Sequence, residues 1–398
     1  MNRSLSSLLD RFAEPETLKM AKLGRELRAQ GIDVIDLSLG EPDFDTPQHI
    51  KEAAKKAIDD NFSHYTPVAG YMDLREAVCT KLKRDNNLDY KPENIVVSTG
   101  AKQSLANIVL AVVDAGDEVI IPAPFWVTYS ELVKIAGGVP VILETTMEND
   151  YKLTATELER AITPRTKLFL FSSPCNPSGA VYSRSELQAL AEVFEQHPTI
   201  YIISDEIYEY INFVGSHESI AQFNAIKDQV IIVNGLSKGY AMTGYRLGYI
   251  AAPVEVAKAC EKLQGQFTSG TNAVTQRAAI TALTTDLGPT LAMTQEFTRR
   301  RQRVLELIAG IPDWKCSAPE GAFYVFPDVS ACFGKTDGNH RIENADDLCM
   351  YLLHTAHVST VTGRAFGTPR CIRLSFANSL DKIEVAYQRI KDALARLQ

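Results

Sequence analysis

The sequence lacks the features that mark several large classes of protein. Its seven cysteines are scattered and include no CxxC pair, so neither a zinc knuckle nor a disulfide framework is expected. No apolar run is long enough to cross a membrane, and residues 1–10 lack the basic flank and apolar core of a signal peptide. The formal net charge is −8, which argues against broad binding to a phosphate backbone. We therefore expect a protein of the reducing cytoplasm.

The 398-residue chain does contain short apolar runs that alternate with helical patterns. At this length, and with 45% hydrophobic residues, about two domains are expected. Several runs are apolar on both sides, which is typical of strands buried on both faces of a largely parallel α/β sheet. The seven predicted strands are Asn94–Val97, Glu118–Ile121, Val139–Leu143, Lys167–Phe171, Ile200–Ser204, Val230–Val233 and Arg246–Ala251.

The pattern changes near residue 285. A long helix is followed by short strands around Gly321–Pro327 and Cys371–Phe376, and the chain closes on an apolar helical stripe within Ser379–Leu397. Ser379 is the predicted N-cap of that last helix. We predict two domains, a large one over residues 47–285 and a smaller α+β one formed by residues 1–46 and 286–398.

One basic cluster, Arg299–Arg303, falls within the long helix. The apolar residues around it have helical spacing, so we predict that its arginines form a solvated helix face. His354 and His357 are three residues apart in a later helical pattern, without an acidic or cysteine partner at matching spacing. We expect no metal site from them.

Chemically distinctive residues follow several of the predicted strands, where ligands bind in parallel α/β sheets. The small residues of Ser98–Gln103 precede a helix, and either cradle an anion or cap that helix. Trp126, one of two tryptophans, either stacks on a flat heterocycle or belongs to the core. Asn176 lies in a proline-rich turn, where its amide either reaches a ligand or closes an Asx turn.

Two further strand ends carry an acid and a lysine. Asp205 ends a buried strand, where a carboxylate needs a cation or hydrogen bonds, and a protonated pyridine nitrogen would serve. Tyr208 follows three residues later, at helical spacing. Lys238 lies in a loop of small residues, where burial and nearby positive charge favour imine formation. Arg246 suits a phosphate or a carboxylate. Together these groups indicate pyridoxal 5'-phosphate (PLP).

The same motifs resemble those of the class I aminotransferases, nearly from end to end, and most closely the bacterial aspartate aminotransferase subgroup. The resemblance implies the PLP-dependent transferase fold (fold type I), with a large domain built on a mostly parallel seven-stranded sheet flanked by helices. It is carried by Lys238 with Arg246, Asp205 with Tyr208, Asn176, Arg373 in Arg373–Phe376, and the segments Gly40–Pro47, Tyr65–Gly70, Ile162–Lys167 and Gly321–Val325.

The resemblance also implies roles for individual residues. Lys238 would bind PLP as an imine and later move the Cα proton, Asp205 would keep the pyridine nitrogen protonated, and Tyr208 would bond the ring oxygen. Tyr65 would reach the phosphate bound by a neighbouring subunit, which implies a homodimer with shared active sites. The remaining cofactor contacts would be Gly100, Ala101, Lys102, Trp126, Asn176, Ser237 and Arg246. The implied substrate contacts are Gly40, Lys102, Trp126, Asn176 and Arg373.

The function that follows is a PLP-dependent aminotransferase with a ping-pong mechanism. L-Aspartate is the expected amino donor and 2-oxoglutarate the expected acceptor, because Arg373 and Lys102 supply two cations for a dicarboxylate. Two alternatives stay open at this point. One is an aminotransferase for prephenate, aromatic or other amino acids, and the other is a PLP-dependent C–S β-lyase, since both reactions begin from the same intermediates.

Overall fold

The computed structural model describes residues 5–312, 314–338 and 340–398. The helices are α1 Glu16–Ala29, α2 Gln48–Asp59, α3 Met72–Asn86, α4 Ala101–Val112, α5 Thr128–Ala136, α6 Ala155–Ala161, α7 Arg184–Glu195, α8 Val254–Phe267, α9 Ala273–Thr284, α10 Gly288–Ala309, α11 Ala345–Tyr351 and α12 Leu380–Leu394. The strands are β1 Ile35–Asp36, β2 Ile95–Ser98, β3 Glu118–Ala123, β4 Val139–Glu144, β5 Thr166–Ser172, β6 Tyr201–Asp205, β7 Val230–Gly235, β8 Gly248–Ala251, β9 Tyr324–Val325, β10 Thr336–Asp337, β11 His340–Arg341, β12 Val358–Ser359, β13 Val361–Thr362 and β14 Ile372–Ser375.

The predicted seven-stranded, mostly parallel sheet is confirmed. Its strand order is β2-β8-β7-β6-β5-β3-β4. Strand β8 runs antiparallel to both of its neighbours, whereas the other pairings are parallel. Every residue of β2, β3, β7 and β8 is buried, as expected for strands covered on both faces. The edge strand β4 is partly exposed.

The predicted strand boundaries are shifted by at most two residues, and the shift at the last strand moves a candidate site residue out of the sheet. The run Arg246–Ala251 was expected to be extended throughout, but β8 begins at Gly248. Arg246 adopts a left-handed conformation, with φ of 56°, at the end of the 3₁₀ turn Thr243–Tyr245. A residue in that conformation cannot continue a strand, so Arg246 belongs to the loop.

Local sequence signals explain where several of the helices packed around the seven-stranded sheet begin and end. Ser183 and Glu186 form a reciprocal capping box at the start of α7, and Thr154 and Glu157 do the same at α6. Gly137 ends α5 in the left-handed conformation, with φ of 86°. The helices around the sheet cover its two faces, which produces two separate apolar clusters of buried residues.

The C-terminal elements build another core. β13, β14 and β9 form an antiparallel sheet, and β1 pairs with β12. This core joins residues 20–37 with residues 297–397, together with Tyr208 and Ile211 of the segment after β6. The domain boundaries at residues 46/47 and 285/286 stay a prediction. Ser379 does occupy the N-cap of α12, although its side chain makes no capping hydrogen bond.

The prediction of a solvated face for Arg299–Arg303 is wrong for one of its members. Arg300 is only 5% exposed, whereas Arg299 is exposed and Arg303 is half-buried. Arg300 lies on the inner side of α10, where Asp43 and Glu296 pair with its guanidinium. Sequence spacing did not reveal Asp43, because it lies 257 residues away.

Over the described residues, no helix is both long and apolar enough to span a membrane. The cytoplasmic location expected from the sequence stays a prediction.

Candidate active site

A cavity opens beyond the carboxyl ends of β5, β6 and β7, where the sequence predicted a site. It is covered from the other side by the segment after β1 and by β9 and β14. The lining residues are Thr17, Leu18, Ser38, Leu39, Gly40, Glu41, Ala101, Lys102, Trp126, Thr128, Tyr129, Ser172, Asn176, Asp205, Ile207, Tyr208, Ser237, Lys238, Thr243, Arg246, Tyr324 and Arg373.

Lys238, which is half-buried, presents its amine to this cavity. The pKa of Lys238 is lowered to about 8, mainly by burial and also by the positive charges of Arg373 and Arg246, against the opposing effect of Glu41. Its Nζ donates a hydrogen bond of 2.5 Å to the carbonyl oxygen of Gly40. A neutral amine is therefore accessible near neutral pH, as a nucleophile or a base requires.

Asp205 is the last residue of β6 and is buried in the same cavity. The pKa of Asp205 is raised to about 6, because burial raises it by more than a hydrogen bond from the Tyr129 hydroxyl lowers it. That bond measures 2.6 Å to Oδ2, and the backbone N–H of Ile207 donates to Oδ1 at 3.2 Å. The carboxylate thus keeps two donors in a site where its charge would otherwise be costly.

Arg373 brings a buried cation to the opposite wall, on β14. Its Nη1 donates to Oδ1 of Asn176 at 2.9 Å, and its Nη2 donates to the carbonyl oxygen of Ser38 at 2.5 Å. Nε is buried without a hydrogen-bond partner among the described residues. The guanidinium lies 4.5 Å from the ring centroid of Tyr324. A buried guanidinium with an unsatisfied donor is suited to an incoming carboxylate.

Two more side chains stand between Arg373 and Lys238. The hydroxyl groups of Tyr208 and Tyr324 share a hydrogen bond of 2.8 Å. Burial raises the pKa of both tyrosines, so both stay protonated and can act as donors.

An anion-binding corner forms where α4 begins. Gly100 is the N-cap of α4 with φ of 85°, and a Cβ there would collide with the guanidinium of Arg246. Glycine therefore permits both the backbone conformation and the close approach of the arginine. Ala101 and Lys102 are the first residues of α4, whose N–H groups have no acceptor within the helix, and both line the same cavity as Arg246 and Ser237. The combination suits a phosphate group.

Lys102 adds another cation to the cavity. Its Nζ lies 4.9 Å from the ring centroid of Trp126, a cation–π contact. Burial lowers the pKa of Lys102, and the nearby charge of Arg246 lowers it further. Trp126 packs edge-on against Tyr129, with ring centroids 5.7 Å apart.

The model of the protein family described as "Aminotransferase class I and II" matches residues 32–390 of this chain. The chain belongs to this family. The predicted resemblance to class I aminotransferases is thereby confirmed, as is the prediction that the protein is a transaminase.

Curated relatives and solved structures agree with that membership. The chain is 45% identical over 399 residues to an aspartate/prephenate aminotransferase of Cereibacter sphaeroides, covering 99% of each chain. It is 43% identical over 376 residues to an aspartate aminotransferase of Geobacillus stearothermophilus, covering 94% of each. Among solved structures, the aspartate aminotransferase of Rhizobium meliloti superposes with a TM-score of 0.96 at 40% identity, with full coverage of both chains. The Thermus thermophilus aspartate aminotransferase with maleate gives 0.93 at 38% identity, covering 98% of this chain and 100% of that one.

Most residues predicted from the aminotransferase motifs lie around the one cavity. The members of its wall that the sequence named are Gly40, Ala101, Lys102, Trp126, Asn176, Asp205, Tyr208, Ser237, Lys238, Arg246 and Arg373. Gly100 lies directly behind Arg246. Tyr65 is not among the described wall residues and is 98% exposed on the surface. The functional roles of all these residues stay predictions.

Several wall residues of this aminotransferase were missed by sequence reasoning. Tyr129 stands three residues after Trp126, the same helical spacing that drew attention to Tyr208 after Asp205, so a signal was present. Tyr324 lies within the quoted segment Gly321–Val325. The other missed groups near Lys238 and Arg373 are Ser38, Glu41 and Thr243.

Proposed function

We propose that this aminotransferase uses PLP to transfer the α-amino group of L-aspartate to 2-oxoglutarate. The observation that carries the proposal is that one cavity holds both the amine of Lys238 and the carboxylate of Asp205, with Arg373 and Lys102 as separate cations. The relatives named above as aspartate aminotransferases support the choice of substrate.

The residues present fit PLP. The start of α4 and Arg246 would hold its phosphate, Asp205 would face its pyridine nitrogen, and Lys238 would hold it covalently. PLP, when bound, withdraws electrons from the Cα of the attached amino acid. The raised pKa of Asp205 supports this assignment, because a buried carboxylate gains most from a cationic partner.

The proposed acid–base work belongs to Lys238. Because the pKa of Lys238 is lowered to about 8, its released amine can accept the Cα proton near neutral pH and return it later. The carbonyl oxygen of Gly40 holds this amine by the hydrogen bond described above. Tyr208, kept protonated by burial, would donate to the ring oxygen beside it.

The proposed substrate contacts follow from the two remaining cations. Arg373 would pair with the α-carboxylate through its free Nε, since Ser38 and Asn176 already fix the other two nitrogens. Lys102 would pair with the distal carboxylate of aspartate or 2-oxoglutarate. The cation–π contact with Trp126 holds its Nζ at the cavity wall, where such a pair can form.

A homodimer is part of the proposal. Tyr65 is 98% exposed, and the large apolar side chains of Phe267 and Met72 are also exposed. Exposed aromatic and apolar side chains favour an interface. A partner subunit that approaches this surface would allow Tyr65 to reach the partner's phosphate corner.

An amino-acid screen in single turnover tests cofactor, reaction and substrate together. The purified protein should be yellow, and aspartate alone should convert its cofactor to the amine form and release oxaloacetate. Lys238→Ala should abolish this turnover, and full activity in that variant would refute the assignment. Release of pyruvate and a thiol from cystathionine, without formation of the amine form, would favour the C–S β-lyase.

A second candidate substrate is prephenate. Leu18 and Leu39 line the cavity and are exposed there, which suits a ring larger than the aspartate side chain. The relative from Cereibacter sphaeroides is named for both substrates. Prephenate offered as the amino acceptor to the amine form of the enzyme should then regenerate the yellow form.

A further inference from the structure

Residues 38–46, here called the crossing segment, connect β1 to α2 and pass over the cavity. Three of its groups contact the walls: the carbonyl oxygen of Ser38 accepts from Arg373, that of Gly40 accepts from Lys238, and the carboxylate of Glu41 accepts from the hydroxyl of Thr243. The position of this segment therefore controls the surroundings of both the amine and the guanidinium.

The crossing segment is anchored to α10 by Asp43. Nη1 of Arg300 donates to Oδ1 of Asp43 at 2.6 Å. Nε of Arg300 donates to Glu296 at 3.0 Å, so this guanidinium has two carboxylate partners. Its guanidinium carbon lies 4.9 Å from the ring centroid of Phe44 and 5.6 Å from that of Phe297. The cation thus contacts rings and carboxylates of both the crossing segment and α10.

The environment of this pair makes it stronger than an ordinary surface ion pair. The side chain of Arg300 is 6% exposed and that of Asp43 is 29% exposed. Water screens such a pair only partly, whereas exposed pairs contribute little. The same segment offers a contrast, because Asp45 is 93% exposed and lies 3.3 Å from Lys51.

We propose that Asp43 and Arg300 are positioning residues, which hold the crossing segment so that Ser38 keeps Arg373 aimed at the substrate carboxylate. The inference rests on the proposed function for its choice of ligand. Neither residue lines the cavity, so their effect reaches the substrate through Ser38. Loss of the pair lowers substrate affinity by releasing a preorganised wall, whereas Lys238 itself lies in the loop after β7, which this pair does not anchor.

The test compares Asp43→Ala with Asp45→Ala, two carboxylate deletions in the same segment. Asp43→Ala leaves Arg300 paired with Glu296, so the variant should fold. We expect its KM for aspartate and its Kd for maleate to rise about tenfold, the size of one lost charged hydrogen bond. Its kcat should stay within about twofold of the wild type. Asp45→Ala should change none of these values.

Amide hydrogen exchange over residues 38–46 gives a readout that needs no turnover. Exchange should accelerate in Asp43→Ala and not in Asp45→Ala, and Asp43→Glu should restore part of the protection. Equal effects of the two alanine variants on KM and exchange, or none from Asp43→Ala, would overturn the inference. An inactive wild type would instead refute the proposed function, and the exchange comparison would still decide the role of Asp43.

Discussion

The hydroxyl of Tyr129 and the carboxylate of Asp205 form a hydrogen bond of 2.6 Å inside the cavity. Burial raises the pKa of Asp205, and this bond opposes the rise because it stabilises the charged form. Tyr129 therefore controls how much of Asp205 is ionised near neutral pH, although Tyr129 lies on α5 and Asp205 on β6.

Removal of that hydroxyl should make Asp205 harder to ionise. In Tyr129→Phe we expect the pKa of Asp205 to rise by roughly one unit above its wild-type value, since a hydrogen bond to a charged group is worth about 1.5 kcal/mol or more. Carboxyl-carbon NMR of cofactor-free protein with labelled aspartate measures this directly. Tyr151→Phe, which removes a buried hydroxyl beside Cys371, is the control. An unchanged titration in Tyr129→Phe would contradict the assignment.

The amine of Lys238 should react at unusually low pH. Since the pKa of Lys238 is lowered to about 8, its neutral form dominates above that pH in the cofactor-free protein. The rate of imine formation with a small aldehyde should therefore rise with an apparent pKa near 8. Arg246→Gln should move this value upward, because it removes a positive charge that disfavours the ammonium form. A rate that rises only near the ordinary lysine pKa would rule out this environment.

The buried ion pair between Lys81 and Glu209 should stabilise the fold only while both partners are present. The carboxylate of Glu209 accepts from Nζ of Lys81 at 2.5 Å, from Asn86 at 3.0 Å and from Asn234 at 2.8 Å. Glu209→Gln should lower the free energy of unfolding by about 3–5 kcal/mol, because it leaves the ammonium buried without its counter-charge.

Denaturant unfolding with matched variants separates charge from packing. Lys81→Met combined with Glu209→Gln should recover most of the lost stability, since the double variant has no buried charge left without a partner. Lys83→Met removes an exposed lysine of the same helix, and should change stability by less than about 0.5 kcal/mol. If the double variant were as unstable as Glu209→Gln, the loss would come from packing.

A second buried pair should make stability depend on pH. Nε2 of His217 lies 3.1 Å from Oε2 of Glu206, which also accepts hydrogen bonds from Ser204 and Ser219 through Oε1. The charge of Glu206 raises the pKa of His217 against the effect of burial. The charge of His217 and hydrogen bonds lower the pKa of Glu206, also against burial.

The sign of each shift sets the pH window. The His217 contribution is complete below its unfolded pKa of 6.5 and is lost as pH rises through the higher folded value. The Glu206 contribution is complete above its unfolded pKa of 4.5 and is lost as pH falls. The loss of unfolding free energy in His217→Gln should thus be larger near pH 6 than near pH 9. His354→Gln, on the surface, is the control, and an equal loss at both pH values would contradict the pairing.

Sequence reasoning located the sheet and half of the cavity wall because both depend on local signals. Buried strands appear as continuous apolar runs, and the groups that follow β6 and β7 must meet at one edge of the sheet. Asp205 and Lys238 were found in this way. The start of β8 was misplaced because the left-handed conformation of Arg246 depends on the turn that precedes it.

The remaining features depend on contacts between distant parts of the chain. Arg300 looked like the other arginines of the basic cluster, since its partner Asp43 lies 257 residues away. The carbonyl oxygen of Gly40 carries no side-chain signal, so its contact with Lys238 could not be read from residue types. Tyr65 needs a second subunit for its expected role, and one chain does not test it.

The reversed direction of β8 ties two chemically different groups to a single stretch of chain. Gly235 at the end of β7 pairs with Gly248 at the start of β8, so the connection between them leaves and re-enters the sheet at the same point. Lys238 and Arg246 both lie within that connection. A change in its length during evolution would therefore displace the reactive nitrogen and the phosphate-facing cation in one step. Asn176, which follows β5, and Asp205, which ends β6, belong to other parts of the chain and can change independently.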